Sequence, residues 1–251
     1  MAAVAPPRIH GQGAAETAWR ASPWLRALPE RHATELLRGR ERVLLLSPHP
    51  DDETLACGGL LRAATRAGVG IHLLAVTDGE ACYPGDARWT PARLREERPC
   101  EVERALATLD VRADIERLGI PDGEVAAHAR ALGDALRERV RPGDLVLAPW
   151  EHDGHPDHDA VGRAALATPC PGARLLRYPV WAWHWLDATA PAAPFAAVRV
   201  PLAAGTRARK RCAIACFASQ TGGTLRPRRP DPVLPQRVLD RFRRPFEVYL
   251  T

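Results

Sequence analysis

His49-Pro50-Asp51-Asp52-Glu53 follows the apolar run Val43-Leu44-Leu45-Leu46, and His155-Pro156-Asp157-His158 follows a second run, Leu145-Val146-Leu147-Ala148. Imidazoles and carboxylates brought to one point bind a divalent transition metal. Such an ion polarises a carbonyl and acidifies a water, so the chemistry implied is metal-dependent hydrolysis. A single His-Pro-Asp-Asp run also reads as a helix start, with Asp51 or Asp52 capping free N–H groups. Two such clusters, each with a proline between His and Asp and each after an apolar strand, are hard to assign to capping twice.

Spacing narrows the ligands. His49 and Asp52 are three apart where loop becomes helix, so both can face one point, while Asp51 between them projects differently. The second loop then needs to give one ligand, and His158, at the start of its helix, is best placed. Spacing leaves His152, His155 and Asp159 open as the third ligand. Three protein ligands with a position left for water make a catalytic rather than a structural zinc site.

The elements that must carry these residues alternate. Strands are expected at 42–47, 71–76, about 113–118, 145–149 and about 174–181, and helices at about 52–66, 92–109, 124–139, 158–167 and 205–217. That alternation predicts an α/β fold, Rossmann-like, with a mostly parallel sheet and helices on both faces of a single domain. Each cluster stands at a strand end, where ligands of open α/β sheets bind. Residues 1–40 read as an N-terminal arm with short helical pieces, packed on the 41–251 domain by Trp19, Trp24 and Leu25.

Composition excludes little but sets a frame. At 251 residues and 46% hydrophobic, the chain can bury a full core. The net charge of +5 is mild, and Lys210 is the only lysine. Arg226-Pro227-Arg228-Arg229 and Arg241-Phe242-Arg243-Arg244 read as a solvated surface strip, so no nucleic acid is expected as a partner. The six cysteines form no C-x-x-C pair, and Met1 to Gly13 lacks the features of a signal peptide. With no apolar run of the ~18 residues that a span needs, a cytoplasmic protein without membrane spans is expected.

Ser47-Pro48-His49-Pro50-Asp51-Asp52-Glu53 and His155-Pro156-Asp157-His158 closely resemble the paired motifs of the PIG-L and LmbE-like zinc de-N-acetylases, over about residues 40–220. Thr77-Asp78-Gly79, Arg98 and Glu101, and Lys210 leading to Ser219-Gln220 extend the resemblance. It implies one Zn2+ per chain held by His49, Asp52 and His158, with iron or cobalt as possible substitutes. It also implies Asp51 as general base, His155 as oxyanion stabiliser or acid, Asp157 as the residue orienting His155, and Arg98 as a substrate contact. The substrate implied is an N-acetylglucosamine-type sugar or glycoconjugate, converted to acetate and a free amine. Two positions depart from the pattern: Asp110 stands for a usual glycine, a loop change, and Asp153 for a tyrosine that assists the intermediate in some members.

The residues themselves suggest further substrate contacts. Trp181, Trp183 and Trp185 alternate, so a strand would put all three on one face, to stack on a sugar or to seal a sheet edge or protein contact. His184 would point the other way. Asp78 and Glu80, at a strand end, are candidates for the pocket wall. Two other functions fit parts of the pattern: a metal-dependent phosphoesterase, and a noncatalytic nucleic-acid or partner-binding module using the arginine strips.

Overall fold

Val43, Leu44, Leu45 and Leu46 are all fully buried, which requires cover on both faces of their strand. In the structure, a computed structural model that describes residues 9, 11–222 and 232–251, this strand is β1 (Arg42–Ser47). It lies inside a seven-stranded sheet of order β3-β2-β1-β4-β5-β7-β6. The other strands are β2 (Gly70–Ala75), β3 (Asp114–Arg117), β4 (Leu145–Pro149), β5 (Arg174–Tyr178), β6 (Ala197–Pro201) and β7 (Phe246–Leu250). β1 to β5 pair in parallel, and β7 is antiparallel to both β5 and β6. This is the single α/β domain with a mostly parallel sheet that the alternating elements predict.

The helices are α1 (Glu16–Ala21), α2 (Pro23–Ala27), α3 (Ala33–Leu37), α4 (Asp52–Arg66), α5 (Pro91–Leu109), α6 (Ala129–Arg139), α7 (Pro156–Leu166), α8 (Ala182–Trp185), α9 (Ala204–Ile214), α10 (Ala218–Thr221) and α11 (Gln236–Leu239). Side chains alternate across a strand, and β1 feeds two cores accordingly. Val43 and Leu45 join Leu145 and Leu147 against α4 and α5, while Leu44 and Leu46 join Val146 against α6 and α7. Helix α5 ends at Asp110, whose φ of 59° is the left-handed conformation that favours glycine at a helix end. Among the described residues no helix is long and apolar enough to cross a membrane.

The topology places the site. From β1 the chain winds outward through β2 and β3, then returns to β4 on the other side of β1. Leu45 is level with Leu147, so the loops after β1 and β4 emerge side by side at the point where the winding reverses.

Four sequence expectations change. The helix expected from 124 starts at Ala129, because the N–H groups of Gly123 and Val125 donate to the Asp157 carboxylate (2.8 and 3.2 Å) and hold a bent turn there. The strand expected to reach 181 stops at Tyr178, before Pro179, which has no N–H for a ladder. The C-terminal segment, not foreseen as a strand, inserts between β5 and β6 as β7. The Arg241–Arg244 run is not a solvated strip: Arg241 and Arg244 are buried, the first donating to the Ala14 carbonyl (2.9 Å) and the second paired with Glu16 (2.8 Å). The Arg226–Arg229 run and residues 1–8 lie outside the described residues.

Candidate active site

Ser47 closes β1 and Pro48 starts the turn, after which the backbone reaches Asp51 at φ 134°. A side-chain-bearing residue there is strained, at a cost of about 1–3 kcal/mol. Buried neighbours hold it. Glu53 accepts from the Asp51 N–H (3.1 Å) and from Ser47 Oγ (3.0 Å), and Arg98 donates to the Pro50 carbonyl (2.7 Å). The strained turn sends Asp51 and Asp52 in different directions, as their adjacency requires.

Three atoms of metal-ligating type converge. His49 Nδ1 lies 3.2 Å from His158 Nε2 and 3.5 Å from Asp52 Oδ2, and His158 Nε2 is 3.2 Å from the same oxygen. Metal–ligand bonds of about 2.0–2.1 Å put tetrahedral ligand atoms roughly 3.3 Å apart, so this triangle fits one first-row ion. The far nitrogens are engaged as well. His158 Nδ1 is 2.8 Å from Asp153, and His49 Nε2 is 3.2 Å from both Asp157 and Asp122. Carboxylates in this outer position fix the tautomer of a metal-binding imidazole. His152 is exposed and Asp159 accepts the Gly154 N–H (3.0 Å), so neither converges, while His155 stands within reach of His49 and His158.

The electrostatics favour a cation at this point. Burial opposes protonation of His158, yet Asp52 and Asp153 raise its pKa to about 9. Burial likewise opposes Asp122, Asp157 and Asp52 at His49, and the carboxylates win, raising it well above the ordinary range. Asp52 is driven the other way: against burial, His158 and His49 hold it far below the usual carboxylate range. A donor set that charges its own imidazoles when protons are the only cations suits a divalent ion.

Around this point lies a cavity of about 330 Å³ whose wall includes Asp51, Arg98, His155 and Trp181. Burial, with Asp52 and Glu53 adding to it, raises Asp51 well above the carboxylate range, although Arg98, 3.1 Å away, opposes the shift. The Arg98 guanidinium also donates to the Gly79 carbonyl (2.7 Å). Burial, then His49 and His158, lower His155 to about 3, which favours its neutral form. Its Nδ1 accepts the Asp157 N–H (3.2 Å), which leaves the ring proton on Nε2.

Several expected contacts fall elsewhere. The Asp157 carboxylate meets His49, not His155, which it touches through its backbone N–H. Asp78 is held bidentately by Arg117 (2.9 and 2.8 Å) and Glu80 by Arg95 (3.0 Å), and neither lines the cavity. The tryptophans do not share a face, because α8 is a helical turn. Trp181 lies on His155 in the cavity wall, Trp183 packs in the core between Trp19 and Trp24, and Trp185 stacks on Trp150. Asp153 does not replace a tyrosine over the cavity; it is fully buried behind His158. Asp122, in the Pro121-Asp122-Gly123 turn, was not foreseen, and a carboxylate in a turn carries no signal of its partner in sequence.

The model of the family described as PIG-L: GlcNAc-PI de-N-acetylase matches residues 44–168. The chain is 35% identical over 164 residues to a 2'-N-acetylparomamine deacetylase of Streptomyces fradiae, covering 59% of this chain and 58% of the relative. It is 30% identical over 144 residues to a probable N-acetyl-alpha-D-glucosaminyl L-malate deacetylase 2 of Bacillus anthracis, covering 53% and 62%. The chain thus spans about three-fifths of these relatives' length. The N,N'-diacetylchitobiose deacetylase structure from Pyrococcus horikoshii shares the fold, with a TM-score of 0.58, 21% identity, and 73% of this chain and 72% of that one covered. With both motifs at the ends of β1 and β4, inside the matched segment, the chain belongs to the PIG-L (LmbE-like) family.

Proposed function

We propose that the chain is a zinc-dependent hydrolase that removes the acetyl group from an N-acetylglucosamine-type sugar or glycoconjugate. The observation that carries this is the triangle of His49 Nδ1, Asp52 Oδ2 and His158 Nε2, beside the Asp51 carboxylate in one cavity. The relatives named as deacetylases, one of them of an N-acetylglucosaminyl compound, support the same reading. Held by those three ligands, zinc supplies Lewis acidity to the acetyl carbonyl and a water acidic near pH 7.

The chain's own residues do the rest. Asp51 takes the proton of the attacking water; its raised pKa lets it hold that proton and pass it to the leaving nitrogen as the C–N bond breaks. Arg98, 3.1 Å away, works against that rise and favours the ionised form from which the base acts. Neutral His155 donates its Nε2–H to the oxygen that becomes negative when the C–O bond forms, which needs no prior protonation. Acetate and a free amine leave. Trp181, with its indole against His155, offers a flat wall for the sugar.

A metal phosphoesterase would need carboxylates bridging two ions about 3.5–4 Å apart. Here Asp122, Asp157 and Asp153 instead meet the far nitrogens of the two ligand histidines. All six thiols are free, which suits a reducing compartment, and we take the cytoplasm as the location.

The test is acetate release over a panel of N-acetyl amino sugars. Chelation should abolish it and zinc restore it, while Asp51→Asn should keep the metal and lose about 10²–10⁴-fold in kcat. Full turnover by rigorously metal-free protein would overturn the proposal.

A further inference from the structure

A second cavity, of about 450 Å³, shares no lining residue with the catalytic one. It is bounded by α1 and α2 of the arm, the edge strand β6, α9 and the segment after α11. Six arginines line it: Arg20, Arg26, Arg199, Arg207, Arg243 and Arg244. The carboxylates that pair with them are fewer. Glu16 Oε2 accepts from both Nε and Nη2 of Arg244 (3.0 and 2.8 Å) and Glu16 lies 3.6 Å from Arg20, Glu30 takes Arg199 (3.1 Å), and Asp240 takes Arg243 (3.2 Å). Arg26 spends its Nε on the Arg20 carbonyl (2.8 Å), and no carboxylate partner for Arg207 lies among the described residues.

Like charges do not gather in a half-enclosed space without cost, and here the countercharge is incomplete. Arg20, Arg26 and Arg207 are exposed, whereas the Nε atoms of Arg199 and Arg243 are buried without an acceptor among the described residues. Glu16, which Arg244 neutralises, is the one carboxylate in the wall; the rest is Trp19, Leu25, Pro245 and Phe246, the Phe246 ring lying 5.3 Å from the Arg199 guanidinium. Planar guanidinium groups bind phosphoryl oxygens two at a time, and several of them facing one volume suit a ligand with more than one such group. The volume is that of a small-molecule pocket.

We propose that this cavity binds a diphosphate group, shared by Arg199, Arg207 and Arg243, with Phe246 as the wall for any organic portion attached to it. Calorimetric titration of the zinc-loaded full chain with pyrophosphate and with ADP tests this. Both should bind; tighter binding of ADP assigns the Phe246 wall to an organic half, and equal affinities assign the site to the diphosphate alone. Because phosphates also coordinate zinc, Asp52→Ala serves as control and should leave the affinity unchanged. Arg199→Gln and Arg207→Gln should each weaken binding about tenfold or more with kcat for acetate release unchanged. Arg207 is exposed, so its variant keeps the test valid if Arg199→Gln does not fold. The proposal is overturned by no binding at millimolar concentration, by arginine variants that bind as wild type does, or by binding lost in Asp52→Ala.

Discussion

Three backbone donors and one imidazole nitrogen surround the carboxylate of Asp153. The N–H groups of Val180, Trp181 and Ala182 each reach it at 2.9 Å, and His158 Nδ1 stands at 2.8 Å. An asparagine keeps the shape but turns one oxygen into a donor, which cannot accept from either the backbone or the imidazole. Asp153→Asn should therefore weaken zinc binding by about 10–100-fold, the usual cost of losing a partner behind a metal-binding histidine. Competition against a chelating dye measures this, with kcat compared at full metal occupancy. A kcat that collapses while zinc stays fully bound would mean that Asp153 acts on the reaction and not through His158. None of this was legible at position 153. The His49-to-Glu53 and His155-to-His158 clusters were legible because their spacing along the chain is their spacing in the site. Asp153 is defined by a turn almost thirty residues downstream.

At the scale of elements, β1 and β4 could be read from their unbroken apolar runs, and the helices after them from the polar clusters that open them. What holds α7 against β4 was not readable, because it is an absence of side chain. A β-carbon on Gly162 would meet the Pro149 carbonyl at 2.6 Å and the Glu151 nitrogen at 2.7 Å. Both are backbone atoms at the end of β4, so neither can swing aside. Gly162→Ala must lift α7, and with it His155 and His158, away from the strand ends. Overpacking of this kind costs about 1–3 kcal/mol, and we expect the midpoint of urea unfolding to fall accordingly. Gly133→Ala in α6, where only the end of the flexible Arg137 side chain is near, is the control and should be neutral or stabilising. Zinc affinity should drop in the first variant and not in the second. Equal affinity in both would show that the close approach of α7 does not position His158. The tryptophan stripe failed at the same scale. Alternation at 181, 183 and 185 suggested a strand, but Pro179 ends β5 and the Asp153 carboxylate gathers the next N–H groups into a helical turn.

At the scale of the whole molecule, residues 16–24 pack on segments distant in sequence, around Trp183 and Arg244. Trp19 donates to the Trp183 carbonyl (2.9 Å) and Trp24 to the Asp187 carbonyl (3.2 Å), which ties the arm to the segment that also carries Trp181. Arg244 completes the contact: its guanidinium lies 4.4 Å from the Trp183 ring and pairs with Glu16, with both charged groups nearly removed from solvent. Composition counts Arg244 among many surface-type charges, and only a carboxylate more than two hundred residues away makes its burial possible. Breaking a buried pair by removing one partner leaves the other charge uncompensated and costs about 3–5 kcal/mol. Glu16→Ala should lose that much in urea unfolding read by linear extrapolation. The double variant Glu16→Leu/Arg244→Met, which removes both charges and keeps the volume, should recover most of it. Because the loosened contact backs onto Trp183, two residues from the cavity wall at Trp181, Glu16→Ala should also raise KM for acetate release more than it lowers kcat. A Glu16→Ala protein within 0.5 kcal/mol of wild type, about the scatter of an ordinary surface substitution, would show that the apolar contacts of Trp19 and Trp24 dock the arm without the ion pair.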